Sequence, residues 1–260
     1  MSAVQVAQMK FENELLYVVE LRVLGENEHG YLLQVDVQHS TQQATDLFSR
    51  VLADVNQVSS SLVLQADAHG RLVEVKNQAE IQRKWQAASP AIRARYASEP
   101  AVQPFLDTFE QQLALPGSME VNLRTKGVHS ALLAGLYGQA YATEPVVSHH
   151  VIPGFFNELD LPLLLATQAE EAADDAAIVL ISRTGSLDTA AFSNQDFRRL
   201  IRGIVDDYTF DVALEIDCQA HFALHRHTGA LLRSRQHLRA EVPGVYHNSI
   251  THEIFPHPSA

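Results

Sequence analysis

The sequence predicts an α+β protein built of two pseudo-repeats with the order β-β-α-β-β, in which antiparallel sheets each pack on one long helix. Strand-length segments alternate apolar and polar residues, an amphipathic helix interrupts the strands of each half, and the order of elements is the same in both halves. Residues 1–76 are expected to form the first unit, 77–145 a helical insert and 146–260 the second unit of one compact protein. This order indicates an internal duplication. The alternative is that two unrelated antiparallel segments share it by chance.

The clearest strands lie in the stretch 211–242, which is predicted to be a long hairpin. Its first arm alternates apolar residues from Val212 to Phe222 with polar ones, the period of two that a half-buried strand requires. His227-Thr228-Gly229 is the predicted turn between the arms. The single cysteine, Cys218, lies in register with the apolar positions, so we expect it to be a small core residue.

The first half is expected to contain the same kinds of element. The predicted elements are strands at 16–24 and 31–38, a helix from 44 to 58, and strands at 62–65 and 72–75. Thr41 is a candidate cap for the helix.

In the second half, the hairpin is preceded by strands at 163–168 and 176–183 and by a helix. The acidic connector 170–175 joins the two strands, and Ser193 with Asp196 forms the capping box that predicts the start of the helix.

The insert is predicted to be helical at 78–86, 92–96, 104–115 and 128–141, with Pro90 interrupting the first pair. The segment 128–141 is nearly all small or apolar, which is typical of a buried core helix or of the lining of a site. We expect four of its side chains to contact a ligand or partner: Leu132, Leu136, Tyr137 and Tyr141.

Composition limits the function classes. The formal net charge of -12 repels phosphate backbones, so we expect no nucleic-acid partner. No stretch reaches the length of apolar sequence that spans a bilayer, and the N-terminal residues lack the pattern of an export signal. One cysteine forms no internal disulfide. These features predict a cytoplasmic protein with a protein or an apolar molecule as its partner, and they are compatible with an oligomer.

No catalytic, cofactor-binding or metal-binding motif is recognisable, and we expect none of these sites. The alternative is a hydrolase or metal-dependent enzyme that uses the strand histidines His221, His225 and His227. Residues on the same face of a strand lie roughly 7 Å apart and diverge, whereas zinc ligands converge on one point. Histidines bound to water or to neighbouring groups are therefore the preferred interpretation.

The return arm of the hairpin carries a row of three arginines, Arg233, Arg235 and Arg239, which together with His237 occupy alternate positions. Ion pairs with Glu215 and Asp217 on the first arm would make this row structural. The functional alternative is a contact with an anionic ligand or an acidic partner, to which the planar guanidinium is suited.

In order of elements alone, the two halves resemble the open half-barrel of lipoprotein carriers and related lipid-binding folds. The segments LVLQADAHGRLVEVKNQAEIQRKWQ and HFALHRHTGALLRSRQ are also similar to strand-turn-strand units of uncharacterised bacterial proteins. The first resemblance implies an apolar ligand; the second implies no catalytic residue.

These observations predict a non-enzymatic binding protein. It would hold an apolar small ligand or a hydrophobic polypeptide segment, in the manner of a chaperone or adaptor. A third hypothesis is a structural subunit of a larger assembly, in which exposed sheet edges pair with other chains.

Overall fold

The computed structural model describes residues 1–6, 9–43, 46–125, 127–142, 144–156, 158–170 and 177–257. The fold is α+β with antiparallel sheets, as predicted. Contacts divide the chain into two compact units, one formed by Glu14–Gln139 and the other by Met1–Asn13 with Ala140–Ala260. The predicted helical insert therefore lies largely in the same unit as the first group of strands.

The described residues contain twelve strands and six α-helices. The strands are β1 (Ser2–Val6), β2 (Met9–Asn13), β3 (Leu15–Asn27), β4 (Gly30–Gln42), β5 (Ser61–Ala66), β6 (Leu72–Val75), β7 (Val146–Phe156), β8 (Leu159–Glu170), β9 (Ile178–Leu187), β10 (Glu215–His225), β11 (Leu231–Val242) and β12 (Tyr246–Ile254). The helices are α1 (Leu47–Asn56), α2 (Gln78–Arg95), α3 (Val102–Ala114), α4 (Ser118–Thr125), α5 (Gly127–Leu132) and α6 (Asn194–Val205). A short 3-10 helix, Gln57–Ser59, follows α1.

In the unit 14–139, four strands form an antiparallel sheet in the order β3-β4-β5-β6. The buried face of β4 and β5 packs in one hydrophobic core with α1, α2 and α3. Fully buried members of this core are Val35, Leu62, Leu64, Val51, Ile81 and Leu106. Their burial follows from apolar residues spaced two apart on the strands and three or four apart on the helices.

The β6 edge of this sheet is closed by side chains of α4. Arg124 donates from Nε to the Leu72 carbonyl (2.8 Å) and from Nη2 to the Val73 carbonyl (2.9 Å). The Glu120 Oε1 atom accepts a hydrogen bond from the Val75 backbone N–H (2.9 Å). Backbone groups that a further strand would use are therefore occupied by α4.

In the other unit, eight strands form one antiparallel sheet in the order β2-β1-β12-β11-β10-β9-β8-β7. Helix α6 contributes Phe197 and Ile201 to a core that includes Leu161 and Leu163 of β8 and Val242 of β11. Aromatic contacts extend this core, since the Phe156 ring lies 4.8 Å from that of Phe197 and 5.4 Å from that of Tyr246, measured between centroids.

The predicted hairpin is confirmed as β10 and β11, with Gly229 in the left-handed conformation (φ 69°) in the turn. The predicted strands of the first half correspond to β3, β4, β5 and β6, and those of the second half to β8 and β9. Four strands were not predicted: β1, β2, β7 and β12. The acidic connector 170–175 lies outside the described residues except for Glu170 at the end of β8.

The prediction of a helix over 128–141 is wrong beyond Leu132. Beyond the end of α5, Gly135 and Gly138 have positive φ values of 68° and 67°, a conformation that a right-handed helix does not contain. The segment instead packs against the β5–β6 turn, where the Tyr137 backbone N–H donates to the His69 carbonyl (3.0 Å).

Two local predictions about the other helices are also wrong. The cap of α1 is Asp46, whose carboxylate accepts from the Ser49 backbone N–H (3.0 Å), and not Thr41, which lies in β4. Pro90 does not interrupt a pair of helices, because α2 continues through it. The buried side chains of Ile81 and Ile92, on either side of it, anchor both parts of α2 in the core. No described helix has the length and apolar character needed to cross a membrane.

Candidate functional site: the β7 edge

Strand β7 is the last strand of the eight-stranded sheet, and its first six residues, 146–151, are all exposed. Three of them are valines, of which Val147 is the most exposed at 63%. Its neighbour β8 is anchored in the core by Leu161, Leu163 and Leu165, so the ladder from Val146 to Ile152 holds β7 in a fixed register. The result is an exposed strand, half of whose first six residues are valine, at the edge of the sheet.

The regular part of β7 ends at a local irregularity. The pairing of β7 with β8 shifts between Ile152 and Phe156, and Gly154 has a φ of 60°. The Gly154 backbone N–H donates to the Asp160 carboxylate (2.8 Å), which fixes this bend. The straight part of this edge therefore covers seven residues, 146–152.

Side chains along β7 alternate between the two faces of the sheet. Val147, His149 and Val151 lie on one face, and Val146, Ser148 and His150 lie on the other. A strand added beside β7 would place its own side chains against these two rows.

His149 is held by a buried carboxylate. Its Nδ1 atom lies 3.0 Å from Oδ2 of Asp188, whose side chain is 9% exposed, whereas the imidazole is 77% exposed. The other carboxylate oxygen of Asp188 accepts from the backbone N–H groups of Ala190 (3.1 Å) and Ala191 (3.3 Å). The carboxylate is thus fixed from one side and orients the imidazole on the other.

These contacts lower the pKa of Asp188 below its usual value, chiefly through the hydrogen bond with His149 and also through the two backbone N–H groups. An ionised carboxylate can only accept a hydrogen bond, so Nδ1 of His149 carries the proton. In the neutral ring Nε2 is then an acceptor that points away from Asp188.

A second feature of this unit is a half-open cleft of about 260 Å³ between β1, β2 and the β11–β12 turn. Its polar lining includes Gln5, Glu12, Glu241 and His247. Nδ1 of His247 lies 3.5 Å from Oε2 of Glu241. Pockets for small ligands are usually ~300–1,000 Å³ and mostly apolar, so this cleft is small and polar by comparison.

The structure places the four predicted contact residues of 128–141 in different surroundings. Leu136 is buried, and Leu132 packs against the core of the unit 14–139. The ring of Tyr137 lies over Gly70, 2.4 Å from where a Cβ atom of that residue would be. Tyr141 belongs to the other unit. Their contact with a ligand or partner stays a prediction.

The arginine row lies on β11, as predicted, but its ion pairs differ from those expected. Arg235 pairs with Glu253 of β12 (3.3 Å), and Arg239 pairs with Glu241 of its own strand (3.4 Å). Asp217 lies opposite Arg239 in the ladder, and its carboxylate accepts from the Gln219 side chain. These pairs leave both guanidinium groups substantially exposed. A role in partner contact, for Arg233 as well, stays a prediction.

The strand histidines do not meet at one point. His221 lies 3.5 Å from Glu170, while the His225 ring accepts from Thr228, and His227 lies in the turn after β10. Within the described ranges, no group of three or more His, Cys, Asp or Glu side chains is arranged to hold a metal ion. The pair of His149 and Asp188 was not predicted, because it joins β7 to the end of β9 across β8 and no local sequence signal marks such a contact.

No family model, curated protein or solved structure matches this chain.

Proposed function

We propose that this is a non-enzymatic binding protein that holds an extended, apolar polypeptide segment along the edge of β7. The observation that carries this proposal is the run of exposed residues 146–151 on an edge strand whose register is fixed by a buried neighbour. A bound segment would add a strand to the sheet, gaining backbone hydrogen bonds along β7 and side-chain contacts on both faces.

The alternative occupant, an apolar small molecule, has less support. The cleft beside the β11–β12 turn is below the usual size of a ligand pocket and contains two carboxylates and an imidazole. A strand edge, by contrast, needs no enclosed volume. It recognises an extended chain by its backbone.

The side chains of β7 indicate which segment fits best. Valines at 147 and 151 favour apolar, β-branched residues on the same face of the added strand. Between them, Nε2 of His149 offers an acceptor, which favours a residue with a hydroxyl group. The expected ligand therefore alternates valine, threonine and valine on that face.

The experiment is fluorescence anisotropy with a labelled peptide of this pattern. We expect binding that weakens at least ~10-fold in Val147→Lys and Val151→Lys, because edge lysines oppose strand addition. The matched control is Val73→Lys, since Val73 is an exposed valine on the β6 edge that α4 closes. Equal affinity in all four proteins would refute the proposal.

A peptide control separates strand addition from nonspecific adsorption. A peptide of the same length, with valine and threonine kept on the face toward His149 and proline at the alternate positions, lacks backbone N–H groups that would pair with β7. It should bind much more weakly than the first peptide. If both peptides bind equally, the contact is hydrophobic but is not an added strand.

The second candidate is a hydrolase that uses a strand histidine, and the pair of His149 and Asp188 favours it. A buried carboxylate that orients an exposed imidazole is an arrangement suited to general-base catalysis on a water or hydroxyl. Hydrolysis of nitrophenyl esters by the protein and by His149→Asn tests this candidate. Identical rates would eliminate it.

We also infer that the chain contains an internal duplication and acts in a reducing compartment such as the cytoplasm. The order β3-β4-α1-β5-β6 matches β8-β9-α6-β10-β11, and the four strands of each set are adjacent in the same spatial order. This correspondence supports the duplication. The single cysteine supports the compartment.

A further inference from the structure

We propose that β3 pairs with β3 of a second copy of this chain, antiparallel and across a two-fold axis at Leu21. The site is the outer edge of the four-stranded sheet, and the partner is an identical strand. This inference is independent of the proposed function, which concerns β7.

The outer side of β3 is open. In the part of the chain that the structure describes, β4 is the strand that pairs with it, and its other side has no strand neighbour. All residues from Glu20 to Asn27 are exposed, and Val23 reaches 66%. Leu21 and Val23 lie opposite the buried Val35 and Leu33 of β4, so they extend the apolar face of the sheet beyond its covered part.

The segment Val19–Val23 is self-complementary when two copies run antiparallel around Leu21. Glu20 of each copy then lies opposite Arg22 of the other, and Val19 lies opposite Val23. The two strands are therefore complementary on both faces of the sheet. Opposite charges meet on the polar face, and valines meet on the apolar face. The contact of Glu20 with the Arg22 of the other copy occurs twice, once on each side of the axis, as a two-fold interface requires.

Other registers lose this match. Sliding the second strand by two residues in either direction places Glu20 opposite itself or Arg22 opposite itself. Like charges directly opposite each other are destabilising, so the charge pattern selects one register.

The regular part of β3 covers the same residues, Val19–Val23. Its pairing with β4 shifts between Val18 and Val19 and again between Val23 and Gly25, so the regular run covers the self-complementary residues. Irregularities at both ends twist the edge away and limit pairing to this run.

The charged side chains are already in place on the polar face. Arg22 contacts Glu20 (2.8 Å) and Asp36 (3.1 Å), and both Arg22 and Glu20 remain about half exposed. In the other unit, β8 occupies the position in the strand order that β3 has here, and β7 pairs with it antiparallel on its outer side. An added antiparallel strand at this position therefore has a precedent within the chain.

The test is sedimentation equilibrium of the full chain, for which we expect twice the chain mass of 28.8 kDa. Glu20→Arg and Arg22→Glu, made separately, put like charges opposite each other twice and should raise the dissociation constant at least ~10-fold. The combined swap restores opposite charges and should restore the dimer. A mixture of the two single variants should also associate, because each supplies the charge that the other lacks.

The matched control is Glu74→Arg. Glu74 and Lys76 are two residues apart, like Glu20 and Arg22, and form an exposed ion pair (2.7 Å) at the β6 edge. Because α4 closes that edge, this variant should stay dimeric. Circular dichroism should show that every variant folds. The proposal is overturned if the wild-type chain is a monomer, if the single variants remain dimers, or if the mixture does not associate. It is also overturned if Val147→Lys, on β7, separates the copies instead.

Discussion

Cys218 on β10 lies directly opposite Gly185 on β9, and its thiol fills the space that a side chain at residue 185 would need. A Cβ atom built on Gly185 would lie 2.7 Å from the Cys218 sulfur and 3.0 Å from a methyl group of Leu165. Burial raises the pKa of the thiol to about 11, so it is protonated at neutral pH. Cys218 is partly buried and packs against the core, whereas the strand pattern predicted a core residue.

Gly185→Ala should destabilise the protein by ~1–3 kcal/mol, because the added methyl group overpacks this contact. Cys218→Ala removes the sulfur contact but keeps the Cβ atom, which lies 2.9 Å from the same point, so the double variant should lose less stability than the sum of the two single losses. Urea denaturation of the four proteins in a double-mutant cycle measures the coupling. Additive effects of the two substitutions would contradict the packing described here.

His129 on α5 should make the protein less stable in mild acid. Burial lowers its pKa from 6.5 to about 4, and its Nε2 atom has no hydrogen-bond partner among the described residues. Between these two pH values the unfolded chain binds a proton that the folded chain does not, so stability falls as the pH falls. The loss is at most ~3 kcal/mol.

Replacing His129 by leucine should reduce this slope, as measured by urea denaturation at intervals from pH 7.5 to 4.5. Part of the slope should remain, because burial also lowers the pKa of His252. A variant that keeps the whole pH dependence of the wild-type protein would show that His129 can be protonated without unfolding.

Asp188→Asn should reverse the hydrogen bond to His149. The new amide group can donate to Nδ1, which would move the ring proton to Nε2. Nitrogen chemical shifts of the His149 ring report the tautomer directly. Because the pKa of Asp188 is lowered in the folded protein, its contribution to stability is complete above pH 3.8 and is lost as the pH falls through the folded-state value. The variant should therefore lose less stability in acid than the wild-type protein. Unchanged chemical shifts of the His149 ring would contradict a hydrogen bond between His149 and Asp188.

Arg124→Ala should open the β6 edge. It removes the hydrogen bonds to the carbonyls of Leu72 and Val73, at a cost of ~1–3 kcal/mol. Hydrogen exchange should accelerate at the backbone amides of β6 more than at those of β4. Arg199→Ala is the control, since Arg199 pairs with Asp196 on the exposed side of α6. Equal exchange at β6 in both variants would show that Arg124 does not protect this edge.

The sequence predicts those elements whose pattern is local and repeated. The hairpin of β10 and β11 alternates over many residues around one glycine turn, and α6 begins at the predicted capping residues, where Ser193 donates to Asp196. Such patterns follow from the geometry of one strand pair or one helix. They do not depend on distant parts of the chain.

The strands that were missed depend on distant partners. β1 pairs with β12, nearly the whole chain away, and β7 breaks its alternation at Pro153 and Gly154. The pair of His149 and Asp188 exists because β7 and β9 flank β8. No spacing within the sequence encodes these neighbours, and the exposed edge of β7 could not be identified without the order of the strands.

Two glycines explain why the predicted helix over 128–141 is wrong beyond Leu132. Its apolar composition favours a helix, but Gly135 and Gly138 adopt positive φ values and allow the backbone to approach the β5–β6 turn. Here tertiary contact overrode helix propensity. A Cβ atom at Gly138 would lie 2.9 Å from the Ala68 carbonyl oxygen, so that approach requires glycine.

The closure of β6 by Arg124 and Glu120 has a consequence for the size of any assembly built on this sheet. A sheet with two open edges can add copies at both ends and grow into a fibre. Here α4 closes the β6 edge, so each copy has one open edge in this sheet, at β3. Pairing two copies through β3 therefore uses the open edge of both. Growth of the four-stranded sheet stops after a single step, and the same contact that could begin a polymer instead produces a finite pair.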